Sequence, residues 1–282
     1  VVVRVYKNGQ YSECALNQFE PEKVKETAGQ IRMALSEQQK ILDLSGSKVF
    51  NTAKLTDEPI TLFVEKETEQ LPETMDVKAL VEKLGALSDA GMAMSEHMIE
   101  SMVNAQSTHV CKMFLTENRD MCQSYVYSEG SAAAVVSRDG RNQIGYEGLS
   151  GLCGPEIFDQ LQDKMAKSVA MAVELLDAER IEPGEYEIIA SPEVTGLIAH
   201  EAFGHGVEMD MFVKNRALGK EYVGKRVGSD LVTMHEGALC TENVTSYAFD
   251  DEGTLAGDVI EIDRGILKTG ICDALSALRL GV

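Results

Sequence analysis

The chain has 282 residues, a formal net charge of -20 and a sequence pI near 4.6. With 44% hydrophobic and 26% charged residues, it is neither disordered nor collagen-like, and it is long enough for two domains with real cores. So acidic a chain repels nucleic-acid phosphates, so no direct nucleic-acid partner is expected, and no run approaches the ~20 apolar residues of a membrane helix.

Val1 to Leu16 reads as a hairpin with Asn8-Gly9 at its turn. Pro21 suits a first helical turn, and the spacing predicts a helix to about Glu37. Ile60 to Val64 predicts a short strand. Asp76 then opens a helix whose face carries Val77, Leu80, Val81, Leu84 and Leu87. From Thr108 to Tyr146, short apolar runs predict an antiparallel meander, with Asp139-Gly140 as its clearest hairpin turn. Glycines 148, 151 and 154 mark a break. Pro155 begins what reads as the longest helix, reaching about Ala178, with Ile157, Leu161, Met165, Val169, Val173 and Leu176 on its core face.

Pro183-Gly184 marks a domain boundary, giving 1–183 and 184–282 as the two expected domains. Glu185 to Ala190 predicts a strand, and Pro192 or Glu193 opens a further helix. After Met211 the chain reads as irregular, and strands are expected from about Asn243 to Lys268, turning at Asp251-Glu252-Gly253 and Asp263-Arg264-Gly265. The chain begins without Met and ends at Leu280-Gly281-Val282, so a fragment is expected. Six scattered cysteines without a Cys-x-x-Cys pair read as reduced thiols of a cytoplasmic protein. Lys214, Arg216, Lys220, Lys225 and Arg226 form the one basic cluster, either a solvated loop or a dock for a peptide carboxylate.

The chemistry concentrates in Thr195 to Gly206, where an apolar approach, Leu197-Ile198-Ala199, runs into His200-Glu201-Ala202-Phe203-Gly204-His205. That approach predicts a helix entering the interior, where His and Glu are costly unless paired or bound to metal. Zinc accepts neutral imidazoles and, in catalytic sites, leaves one position for water. The interval is five, however, and on a regular helix residues i and i+5 point about 140° apart. A π-type turn, with i to i+5 bonding, would return both rings to one side, and Gly204 weakens the regular helix there. Glu201 would then act as general base on the metal's water. A hydrogen-bonded structural cluster of the same residues is the competing reading. Glu208 and Asp210 are near enough in sequence to add an oxygen. His97, His109 and His235 receive no role.

These residues, with Gly228-Ser229-Asp230-Leu231-Val232, Asp250-Asp251-Glu252-Gly253-Thr254 and Gly265-Ile266-Leu267-Lys268, resemble the TldD/PmbA family, also called modulators of DNA gyrase, in its active branch bearing H-E-x-x-x-H. The resemblance implies an α+β architecture: a mixed α/β N-terminal domain and a strand-rich C-terminal domain, here incomplete. It implies a zinc-dependent peptidase, with iron possible as the metal, His200 and His205 as ligands, and Glu201 as the catalytic base. It also implies a third, cysteine ligand beyond residue 282, unfolded or modified peptides as substrate, and a homodimer or a heterodimer with a related subunit. A non-catalytic peptide-binding subunit of a hetero-oligomeric protease is the alternative.

Overall fold

A computed structural model describes residues 1–7, 9–18, 20–45 and 52–282. The architecture is α+β. The chain packs as two compact units: Val1–Thr56 with Gly206–Glu221 and Gly270–Val282, and Asp57–His205 with Tyr222–Thr269. The expected division after residue 183 falls inside the second unit.

In the first unit, β1 (Val2–Lys7) and β2 (Gln10–Ala15) pair antiparallel, from Val2 opposite Ala15 to Lys7 opposite Gln10. Gly9 takes a left-handed φ of 78°, as the turn requires; Asn8, the other half of the predicted turn, lies outside the described residues. Pro21–Lys23 forms a tight helical turn that leads into α1 (Val24–Ser45). This helix passes the predicted end near Glu37 because Gln38 to Ser45 contains no glycine or proline to stop it. It is therefore longer than the helix expected to be the longest.

The second unit is organised on one sheet. It contains β3 (Ile60–Glu65), β4 (Met98–Leu115), β5 (Arg119–Arg138) and β6 (Arg141–Gly151), with α2 (Val77–Met92) between β3 and β4. Strand β4 runs antiparallel along nearly all of β5, from Met98 opposite Val136 to Leu115 opposite Asp120. The other edge of β5 is shared. Its first part, Arg119 to Ser124, pairs in parallel with β3, and its second, Ser128 to Arg138, pairs antiparallel with β6. Asp139 (φ 52°) and Gly140 (φ 77°) make the predicted two-residue turn. Two predicted limits move. Strand β4 starts at Met98 because pairing with Glu129 to Val136 overrides the polar Asn104 and Gln106. Strand β6 runs through Gly148 to Gly151, since both glycines keep their ladder partners, Ser131 and Ser128.

Helix α3 (Leu161–Asp177) covers this sheet, preceded by a tight turn over Pro155–Gln160, so the helix proper starts after the predicted Pro155. It buries Leu161, Met165, Ser168, Val169, Ala172 and Leu176, which includes most of the predicted stripe. The core joins Met165, Val169, Ala172 and Leu176 to Met98, Ala132, Ala134 and Val136, with Leu87 of α2 at its margin. Each such large apolar side chain contributes roughly 1.5–3 kcal/mol. The helix lies tight against β6 at Gly145, where an added Cβ would lie 1.9 Å from the Ser168 carbonyl oxygen. In α2, capped by Asp76, the inward face is Leu80, Leu84 and Leu87, whereas Val77 and Val81 are exposed.

Glu185 to Ala190 does not form the predicted strand. Alternation alone cannot make one without a ladder partner, and Ile188 and Ile189 are exposed. Helix α4 (Pro192–Ala199) follows. A small antiparallel sheet contains β7 (Met234–Glu236), β8 (Val259–Asp263) and β9 (Ile266–Leu267), turning at Arg264 and Gly265 as predicted. Strands do not begin at Asn243. Phe249 and Leu255 meet only in an isolated bridge around the Asp250 turn, and Gln123 of β5 holds this loop. Its amide donates to the Phe249 carbonyl at 2.6 Å and accepts from the Ala248 amide at 2.8 Å. The rest of the first unit includes α5 (Met209–Val213) and α6 (Ala274–Leu280), joined through the Met209 amide and Ile271 carbonyl at 2.8 Å. Among the described residues, no helix is long and apolar enough to cross a membrane.

Candidate metal centre

Helix α4 begins where the Ser191 hydroxyl accepts from the Val194 amide and Pro192 fills the first turn. It does not continue as a regular helix. His200–Gly204 is a π turn, closed by the His205 amide donating to the His200 carbonyl, five residues back. The His200 amide still bonds to the Gly196 and Leu197 carbonyls, so the widening starts at His200 itself. An added Cβ at Gly204 would approach nothing closer than 3.8 Å, so the glycine acts by low helix propensity and not by close packing.

The widened turn brings the two imidazoles together. Their ring centroids are 4.5 Å apart with an interplanar angle of 72°. His200, Glu201 and His205 each offer a ligand atom, and these atoms all lie within 4.8 Å of one another. Two donors at ~2.0–2.1 Å from one tetrahedral ion are about 3–4 Å apart, so small side-chain adjustments suffice for sharing. Imidazole nitrogens and a carboxylate oxygen are donors that zinc accepts, so this set fits such an ion.

One expectation fails. The helix does not enter the interior: Leu197 is 60% exposed, Ile198 50%, and the His–Glu–His cluster is exposed as well. The apolar approach is an uncovered flank, so burial does not compel these polar groups to pair or to bind metal.

The other residues singled out serve other ends. Asp210 lies in the first unit and pairs with Lys214 at 2.6 Å, while Glu208 precedes α5 in a bridge to Ile271. His235 pairs with Asp258 at 2.8 Å. The basic residues are divided between the units and engaged locally. Lys220 donates to the Phe212 carbonyl and Asn215, Arg226 to the Gly228 carbonyl, and Lys225 lies over the Tyr222 ring. The six cysteines form no disulfide.

Sequence reading missed Glu261. It lies in β8 at 1% exposure, with neither carboxylate oxygen hydrogen-bonded. Burial, and secondly the nearby Glu236 charge, push its carboxyl up to about 7. Its position between Ile260 and Ile262 was the available signal, but the strand's inward phase was not.

Comparison with known proteins adds a class to this geometry. Residues 183–282 match the family model described as the PmbA/TldA metallopeptidase C-terminal domain, the stretch that contains the whole cluster. Over that stretch the chain is similar to the TldD/PmbA family, as the sequence resemblance implied. It is similar to a metalloprotease of Methanocaldococcus jannaschii, 34% identical over 135 residues, covering 48% of this chain and 30% of that protein. It is also similar to a zinc metalloprotease TldD homolog of Saccharolobus solfataricus, 30% identical over 159 residues, covering 55% and 33%. A solved structure from Thermotoga maritima, assigned as a modulator of a DNA gyrase, shares the fold. Its TM-score is 0.74 at 20% identity, covering all of this chain and 61% of that one. The matches thus span about a third of these curated relatives' length.

Proposed function

We propose that the chain is the metal-binding portion of a peptidase that hydrolyses unfolded or modified peptides, with His200 and His205 as metal ligands and Glu201 as general base. The observation that carries this reading is the π turn, which draws two imidazoles five residues apart into one cluster with a carboxylate. The ion proposed is zinc, in keeping with the name of the Saccharolobus relative, and iron suits the same nitrogens. A bound divalent cation supplies Lewis acidity, polarising a peptide carbonyl and making water more acidic. Glu201 accepts the proton of the attacking water on its carboxylate and returns it to the departing amine nitrogen. His200 and His205 serve as neutral imidazoles. The exposed flank of Val194, Leu197 and Ile198 offers apolar surface to an extended peptide, as a non-selective hydrolase of unfolded chains requires.

Residues 184–282 are proposed as the start of the metallopeptidase domain, which would be completed by a cysteine ligand beyond residue 282. The whole protein is proposed as a cytoplasmic homodimer, or a heterodimer with a related subunit. The exposure of the cluster favours one alternative, a subunit that binds peptides without cutting them. Glu201→Ala in the full-length protein separates the two. Loss of casein cleavage with metal content unchanged supports the enzyme, and undiminished cleavage removes Glu201 from its role.

A further inference from the structure

The second unit holds another constellation of nucleophiles around a base, far from the His200 turn in sequence. His109 and Cys111 are alternate residues of β4 and so share a face, and Ser124 of β5 is directly opposite Cys111 in the ladder. Glu73 reaches them from the tight turn Pro72–Thr74. The His109 Nδ1 lies 2.6 Å from Glu73 Oε1. Its Nε2 lies 2.8 Å from Ser124 Oγ and 3.5 Å from Cys111 Sγ. A carboxylate only accepts, so Nδ1 bears the ring proton, and Nε2 is left as an acceptor facing a hydroxyl and a thiol. Base and orienting carboxylate are thus joined as in nucleophilic catalytic sites. Exposure chooses between the two nucleophiles. Cys111 is exposed and Ser124 half-buried, and a thiol is intrinsically the stronger nucleophile.

We propose that Cys111 is a reactive thiol, served by His109 as base and Glu73 as positioning residue, that exchanges with small disulfides. In the exchange the Cys111 proton passes to His109 Nε2 while Sγ attacks one sulfur of the disulfide. The new Cys111–sulfur bond forms as the old sulfur–sulfur bond breaks, and the departing thiolate takes the proton from His109 and leaves as a thiol. One disulfide is consumed, one mixed disulfide and one thiol are formed, and no further oxidant is needed. The reaction uses none of the proposed metal-centre residues and is independent of that reading.

The test is exposure of the 282-residue chain to oxidised glutathione in the presence of a chelator, with peptide mapping over time. Cys111 should be modified roughly tenfold faster than the other exposed cysteines, Cys240 and Cys272. His109→Gly should remove that advantage, and added imidazole should restore it, a rescue that a purely structural histidine would not show. Glu73→Gln should slow the exchange, and Glu73→Asp should recover most of it. Equal rates at the three exposed cysteines in the parent chain overturn the proposal, whatever the variants do. Imidazole failing to rescue a folded His109→Gly chain also overturns it, as does fluorophosphonate labelling of Ser124 in preference to capture at Cys111.

Discussion

The imidazole rings of His200 and His205 approach to 4.5 Å between centroids although five residues separate them. A regular helix would turn them about 140° apart. The juxtaposition is therefore a property of one i to i+5 backbone bond, from the His205 amide to the His200 carbonyl.

If both rings serve one ion, either His200→Ala or His205→Ala should weaken binding of zinc or cobalt by roughly ten- to hundredfold or more. Glu201→Gln should leave binding largely intact. Competition with a chromophoric chelator reads all three, and unchanged affinity in either histidine variant would falsify a shared site.

Glu261 should make the second unit pH-sensitive. Its carboxyl moves from an ordinary 4.5 to about 7 in the folded chain. Between those values the unfolded chain ionises first, so stability falls as pH rises through the window and levels off above about 7. The loss is on the order of 2–3 kcal/mol. Glu261→Gln should match the parent near the lower limit and exceed it by about that amount at mildly alkaline pH, as read from urea midpoints. A constant difference across the range would count against a titrating Glu261.

At Gly145 a side chain has nowhere to go, because the Ser168 carbonyl would stand 1.9 Å from its Cβ. Gly145→Ala should force α3 away from β6 and cost about 1–3 kcal/mol or more. Gly204→Ala, with its nearest neighbour at 3.8 Å, should fold normally. Thermal melts of the two variants make the comparison.

Gln123→Met keeps volume but removes the bonds to the Phe249 carbonyl and Ala248 amide. Leaving those groups unpaired should cost about 2–3 kcal/mol. Amides near Phe249 should also exchange faster with solvent; equal protection would separate this loop from Gln123.

The π turn was legible because an i, i+5 interval between two ligand-type residues is chemically useful only on a widened helix, and Gly204 marked where widening is tolerated. The Asp139-Gly140 and Arg264-Gly265 turns and the inward face of α3 were legible because local backbone preference and burial agree there. Glu185 to Ala190 misled because alternation reports a strand's faces but not whether a neighbour exists to bond it. Met98 to Ser107 was missed for the converse reason: its partner, not its own composition, makes it a strand. The exposure of Leu197 and Ile198 was hidden for similar reasons, since apolar residues state a preference for cover and not its presence.

Strand β5 carries different neighbours on successive halves of one edge, and those neighbours differ in how far along the chain they must be gathered. The β6 half closes through a two-residue reversal, whereas β3 must await α2 and the whole of β4 before it can align in parallel. Loop-closure entropy therefore makes β3 the late arrival in assembly. A complete chain that is refolding would expose the Arg119-to-Ser124 margin of β5 after its other half was already sealed, leaving a short interval in which that margin could be captured by a foreign strand.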